Sequence, residues 1–161
     1  MTRPLRCLSV TVVHRPDDSR VRTRLVGALL DAGWEVVQAA PFGAFDLPLD
    51  GGPDGLTTLD LPRARGRRRG AAWRAVRTLL RERAGEFDVV LAHDPEILTA
   101  AVGLGIDHLV WDVEEDTAAT FVVKEYLPKP VRGLAASAWR AFERVAERRW
   151  SLQLADHAYA A

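Results

Sequence analysis

The chain has 161 residues, 48% of them hydrophobic and 27% charged, and a formal net charge of zero. That is enough to bury the core of one domain, here residues 1–161, and too apolar for intrinsic disorder. The single cysteine excludes an internal disulfide, four scattered histidines show no metal-ligand spacing, and no apolar run reaches the ~20 residues of a spanning helix.

The basic N-terminus leads into a short β-branched run that meets His14, Arg15 and Pro16, which reads as a first buried strand rather than a cleaved leader. That strand covers Arg6 to Val13, with Cys7 as a small buried hydrophobe. A helix follows, with Val21, Leu25, Ala28, Leu29 and Ala32 on one stripe, Asp18 or Ser19 as its cap and Gly33 as its stop. Trp34 to Ala40 is the second strand, Pro41 to Gly55 a loop dense in Gly, Pro and Asp, and Leu56 to Leu61 a short edge strand.

The run RARGRRRG then enters a helix with Trp73, Val76, Leu79 and Leu80 inward and Arg74, Arg77 and Arg81 outward. FDVVLAH (Phe87 to His93) is the clearest central strand, followed by a short helix over Pro95 to Val102 and a strand over His108 to Val113. Residues 116 to 127 read as a loop with a helical turn. Pro130 to Leu154 reads as one long helix with Val131, Leu134, Ala138, Phe142, Val145, Arg149 and Leu152 along its stripe, and ADHAYAA as the start of a further strand. Short apolar runs alternating with helical patterns predict an α/β fold: a Rossmann-like parallel sheet with helices on both faces.

Zero net charge hides an asymmetry. Arg63 to Arg83 holds nine arginines against one acid, whereas Gly85 to Val123 holds nine acids and no Lys or Arg. The arginines read first as a solvated helix face and basic loop. Docking on an anionic membrane surface comes second, since each surface Lys or Arg adds about 1 kcal/mol there. Nucleic acid is not expected as a partner, because no aromatic residues interleave with the arginines.

Ligands of open α/β sheets bind beyond the carboxyl ends of the strands. Three groups fall there: His14, Arg15, Asp17, Asp18 and Arg20; then His93 and Asp94; then Asp112, Glu114, Glu115 and Asp116. The aspartates at 17, 18 and 94 have ordinary roles as helix caps, the last beside Pro95. A histidine ending a buried strand has little structural purpose, which favours a functional His14; His93 is open between bridging ligands and resting on a backbone partner. The chain has neither a Walker-type phosphate loop nor G-x-G-x-x-G after a strand, so no cofactor site is expected.

Two stretches carry a resemblance. VTVVHRPDDSRVRTRLVGALLDAGWEVVQAAP (Val10 to Pro41) and FDVVLAHDPEILTAAVGLGIDHLVWDVEED (Phe87 to Asp116) are similar, in order and spacing, to the N-terminal domain of glycosyltransferase family four, a GT-B architecture. LADHAYAA resembles the family's Ala-Asp-x-Val-x-Ala. Arg15-Pro16-Asp17-Asp18 replaces the glycine pair many members carry, and Glu114 stands where the family has His.

The resemblance implies the acceptor-binding half of a metal-independent, retaining, hexosyltransferase-type enzyme that is inert alone. Its nucleotide-sugar donor would be held by a C-terminal domain or a partner chain. His14, Arg15, Asp18, Arg20 and Asp94 would bind a glycan, lipid-linked or small-molecule acceptor, and Glu114, Glu115 and His93 would line the catalytic side. A carboxylate at 114 would accept hydrogen bonds from sugar hydroxyls or stabilise oxocarbenium-like charge; equally, it would mark a site that has lost the usual chemistry. A cytoplasmic location, peripheral to the inner membrane face if the arginines dock there, follows from the same reading.

The alternative is a non-catalytic Rossmann-like module that binds a partner protein, a glycan or a second copy through an apolar patch on the last helix. A response-regulator receiver, suggested by KEYLPKPV (Lys124 to Val131) and the HDP after FDVVLA, fails on length: Asp94 to Lys129 is too short for the helix, strand, helix and strand required.

Overall fold

The computed structural model describes residues 3–113 and 129–154. Six parallel strands form one sheet in the order β3-β2-β1-β4-β5-β6: β1 (Arg6–Val10), β2 (Glu35–Ala40), β3 (Leu56–Asp60), β4 (Val89–Ala92), β5 (Leu109–Val113) and β6 (Ser151–Leu154). Helix α1 spans a π-helical segment, Ser19–Val26, and an α-helical one, Gly27–Asp31; α2 is Arg69–Arg83, α3 Pro95–Ala101 and α4 Lys129–Arg149. The sheet is the all-parallel, helix-covered α/β arrangement that the alternating sequence predicts. None of the described helices is long and apolar enough to cross a membrane.

Successive side chains of a strand point to opposite faces, and β1 is buried on both. Leu8 and Val10 join Val90, Ala92, Leu109 and Trp111 beneath Val76 and Leu80 of α2 and Ile97 and Leu98 of α3. Cys7 joins Val36, Leu91 and Val26 of α1 on the other face. Burial pushes the Cys7 thiol up to about 12.

Three sequence expectations shift, each for a physical reason. The ladder of β1 closes at Val10, with Thr11 still reaching the Ala39 carbonyl, because the amides of Val12 and Val13 turn to the Asp94 carboxylate instead. Along α1, Val21 and Val26 are buried while Ala28 and Ala32 are exposed. The π-helical segment repeats five residues on, so a stripe drawn at 3.6 residues per turn falls out of phase. Asp18 caps this helix by accepting from the amides of Arg20 and Val21, and Gly33, at φ +80°, supplies the left-handed stop.

The third shift is at the end. The long helix stops at Arg149, where the indole of the buried Trp150 donates to the Ile106 carbonyl at 2.8 Å and residues 151–154 become β6 beside β5. Ala136, Ala146 and Trp150 are the buried residues there, whereas Leu134 and Val145 are 73% and 63% exposed. The expected stripe therefore lies largely on the outer face. ADHAYAA and the 116–127 stretch lie outside the described residues.

Candidate functional site

The strand order reverses between β1 and β4, which opens a crevice beyond their carboxyl ends. The loop after β1 brings His14 and Arg15 there, and the turn after β4 brings His93 and Asp94. The side chain of Asp94 is wholly buried. It accepts from the Thr11 hydroxyl at 2.9 and 3.2 Å and from the amides of Val12 and Val13, and His14 Nε2 lies 3.2 Å from its other oxygen, Oδ1. Asp94 thus precedes Pro95 at the start of α3 without capping it through its side chain; it ties β1's exit loop to β4 and holds the His14 ring, which stays 28% exposed.

Beneath α1 a second polar group crosses the sheet. His93 Nδ1 donates to Asp112 Oδ2 at 2.8 Å, and the Ser9 hydroxyl lies 2.9 Å from Nε2. An ionised carboxylate only accepts, so Nδ1 carries a hydrogen toward Asp112, while Nε2 meets the Ser9 hydroxyl. Arg20 donates to the other Asp112 oxygen at 2.7 Å. Burial pushes the Asp112 carboxyl up, but the hydrogen bonds from His93 and Arg20 and their attraction outweigh it, leaving the carboxyl below its ordinary value.

The Ser9–His93–Asp112 connectivity is that of a hydrolytic triad. Burial decides against that use: Ser9, His93 and Asp112 are all sealed under α1, so no substrate carbonyl reaches the Ser9 oxygen. The group instead fastens the start of α1 to β1, β4 and β5. Gln38 extends it onto β2, donating to the Pro16 carbonyl at 2.8 Å and accepting from Arg22.

Of the described residues singled out from sequence, His14 and Arg15 lie on the loop after β1, His14 28% exposed and Arg15 55% exposed. Arg15 pairs with Asp17 and lies over the Phe45 ring at 4.9 Å, with Arg63 over the same ring at 4.2 Å. Asp18 is engaged as a helix cap, Arg20 and His93 with Asp112, and Asp94 with β1's loop. Glu114, Glu115 and Asp116 lie outside the described residues. Ser9 and Thr11 were not singled out: a hydroxyl residue inside an apolar run looks like an ordinary strand position, and only the pairing of β1 with β4 brings them to His93 and Asp94.

Electrostatics sort the rim. Both helix N-termini beside the crevice carry acids, Asp18 on α1, and Glu96 on α3 in an ion pair with Arg69. The loop from β3 to α2 crosses over β1, with the Ala64 amide donating to the Val12 carbonyl at 2.7 Å, and exposes Arg65, Arg67 and Arg68. Among the described residues no carboxylate pairs with these three, and no group of three or more His, Cys, Asp or Glu is placed to hold a metal ion. Compared with known proteins, the chain matches no family model, no curated protein and no solved structure.

Proposed function

We propose that this domain is the acceptor-side half of a retaining GT-B-type glycosyltransferase, whose crevice between β1 and β4 receives a sugar or lipid-linked acceptor while a separate domain holds the nucleotide-sugar donor. The observation that carries this reading is the chemistry of the crevice. In dinucleotide-binding sheets a glycine turn and an open helix N-terminus take the pyrophosphate. Here the turn after β1 is His14-Arg15-Pro16-Asp17-Asp18, and the helix N-terminus is already occupied by Asp18. A phosphate at the helix N-terminus would meet the Asp18 carboxylate, whereas a sugar hydroxyl beside it would meet His14 and Arg15. The order and spacing of the two resembling stretches support the same assignment.

Within this reading His14 orients an acceptor hydroxyl, Asp94 fixes the His14 ring from behind, and the Ser9–His93–Asp112–Arg20 group keeps the crevice floor rigid. An NMR titration with methyl glycosides and with lipid-linked monosaccharide phosphates in micelles tests it. Saturable shifts at His14 and Arg15 that His14→Ala abolishes are expected; silence at the crevice across the whole panel overturns the reading.

A second reading is a non-catalytic module that binds a partner, favoured by the exposed Leu134 and Val145 on α4. Sedimentation distinguishes it: a concentration-dependent dimer that Leu134→Lys dissolves, together with a silent crevice, would replace the first assignment.

A further inference from the structure

A cavity of about 180 Å³ lies between α1 and the loop from β2 to β3, with Arg22, Phe42, Leu47, Pro48 and Gly52 in its wall. It is separate from the crevice between β1 and β4. Arg22 is partly buried there, and burial draws its guanidinium below the ordinary value. Among the described residues no carboxylate lies within ion-pair distance of it. Among the described residues the side-chain hydrogen bond of its guanidinium goes to Gln38, a fully buried amide itself fixed by the Pro16 carbonyl.

The guanidinium is therefore held in place, partly desolvated and lacking a counter-ion, which is the condition in which a bidentate carboxylate adds most. Gly52 leaves room for it: a Cβ at that position would stand 3.4 Å from Arg22 Nη2 and 3.1 Å from Leu56 Cδ2.

Size and charge narrow the ligand. The cavity is on the scale of the roughly 150 Å³ void that accepts one benzene, so its occupant is one ring or a comparable aliphatic body. Phe42, Leu47 and Pro48 supply apolar wall, and Asp50 together with Asp17, itself paired with Arg15, disfavours a dianion more than a single carboxylate. We infer that this cavity is a binding site for a small apolar monocarboxylate, whose carboxylate pairs with Arg22. Pro16 and Asp17 line it, so an occupant would touch the loop that carries His14 and Arg15.

The test is an NMR titration of the chain with benzoate, with inorganic phosphate as a parallel arm. Benzoate is expected to shift the Arg22 side chain and the Gly51 and Gly52 amides saturably, with a midpoint near or below about 1 mM. Arg22→Met should weaken this about tenfold or more, and Arg24→Met, on the exposed side of the same helix, should leave it unchanged. Gly52→Ala, a surface-loop change that spares the core, should also weaken it. Absence of saturation, or equal binding by Arg22→Met, overturns the site. Phosphate binding the same groups as tightly overturns the ligand class. These outcomes are independent of whether the crevice binds glycosides.

Discussion

Replacing Asp94 with alanine removes the acceptor of three donors at once, the Thr11 hydroxyl and the amides of Val12 and Val13, and the carboxylate beside the His14 ring. A buried donor left without a partner costs about 1–3 kcal/mol, and loss of one partner from a buried ionic group about 3–5 kcal/mol. Val13 and His14 are partly exposed, so water recovers some of their share, and the total expected is about 3–5 kcal/mol. In a domain of this size each kcal/mol moves the melting midpoint by about 2–4 °C, giving a fall of about 6–20 °C. Urea denaturation followed by circular dichroism measures it. Asp94→Asn keeps the shape but sets an amide NH2 against the backbone donors, and should fall between the two. A loss under about 1 kcal/mol for Asp94→Ala would show that Asp94 is not what closes β1 onto β4.

Three further outcomes follow from the same geometry. The Asp112 carboxyl is depressed in the folded state, so its stabilisation is present above the unfolded value near 4 and is lost as pH falls through the lower folded value. Urea titrations between about pH 2 and 5 should show a shallower acid loss in Asp112→Asn than in the parent, and identical slopes would contradict this. Cys7, its thiol pushed up to about 12 by burial, should resist thiol reagents at pH 8 until the chain unfolds; rapid labelling of the native protein would refute the packing under α1. Arg77 donates to the Ala100 and Val102 carbonyls at the end of α3, so Arg77→Ala should cost about 1–2 kcal/mol and speed amide exchange there, with no change in either counting against that role.

How far the sequence goes depends on whether a feature is local. FDVVLA and CLSVTVV are apolar runs too short for helices, and they declare buried parallel strands at once. The phase of α1 is not local. Val21 and Val26 are five apart in a π-helical segment whose Arg20 and Arg22 reach Asp112 and Gln38 on opposite sides of β1, and nothing in the helix's own composition reports those partners. The end of α4 is hidden likewise, since Leu152 continues the apolar spacing while the bond from Trp150 to Ile106 turns the chain into β6. At the site, His14, His93 and Asp94 are legible as polar residues ending strands. That His93 is internal while His14 is not depends on Ser9 and Asp112, which sheet pairing brings together from far along the chain.

On the proposed reading the crevice after β1 takes no nucleotide, because the chain's own Asp18 holds the helix N-terminus. Isothermal titration of the chain with a panel of nucleotides and nucleotide sugars checks this. No measurable heat of binding is expected from any of them. Micromolar binding by any member would place a nucleotide site within this domain and contradict the division between acceptor and donor halves.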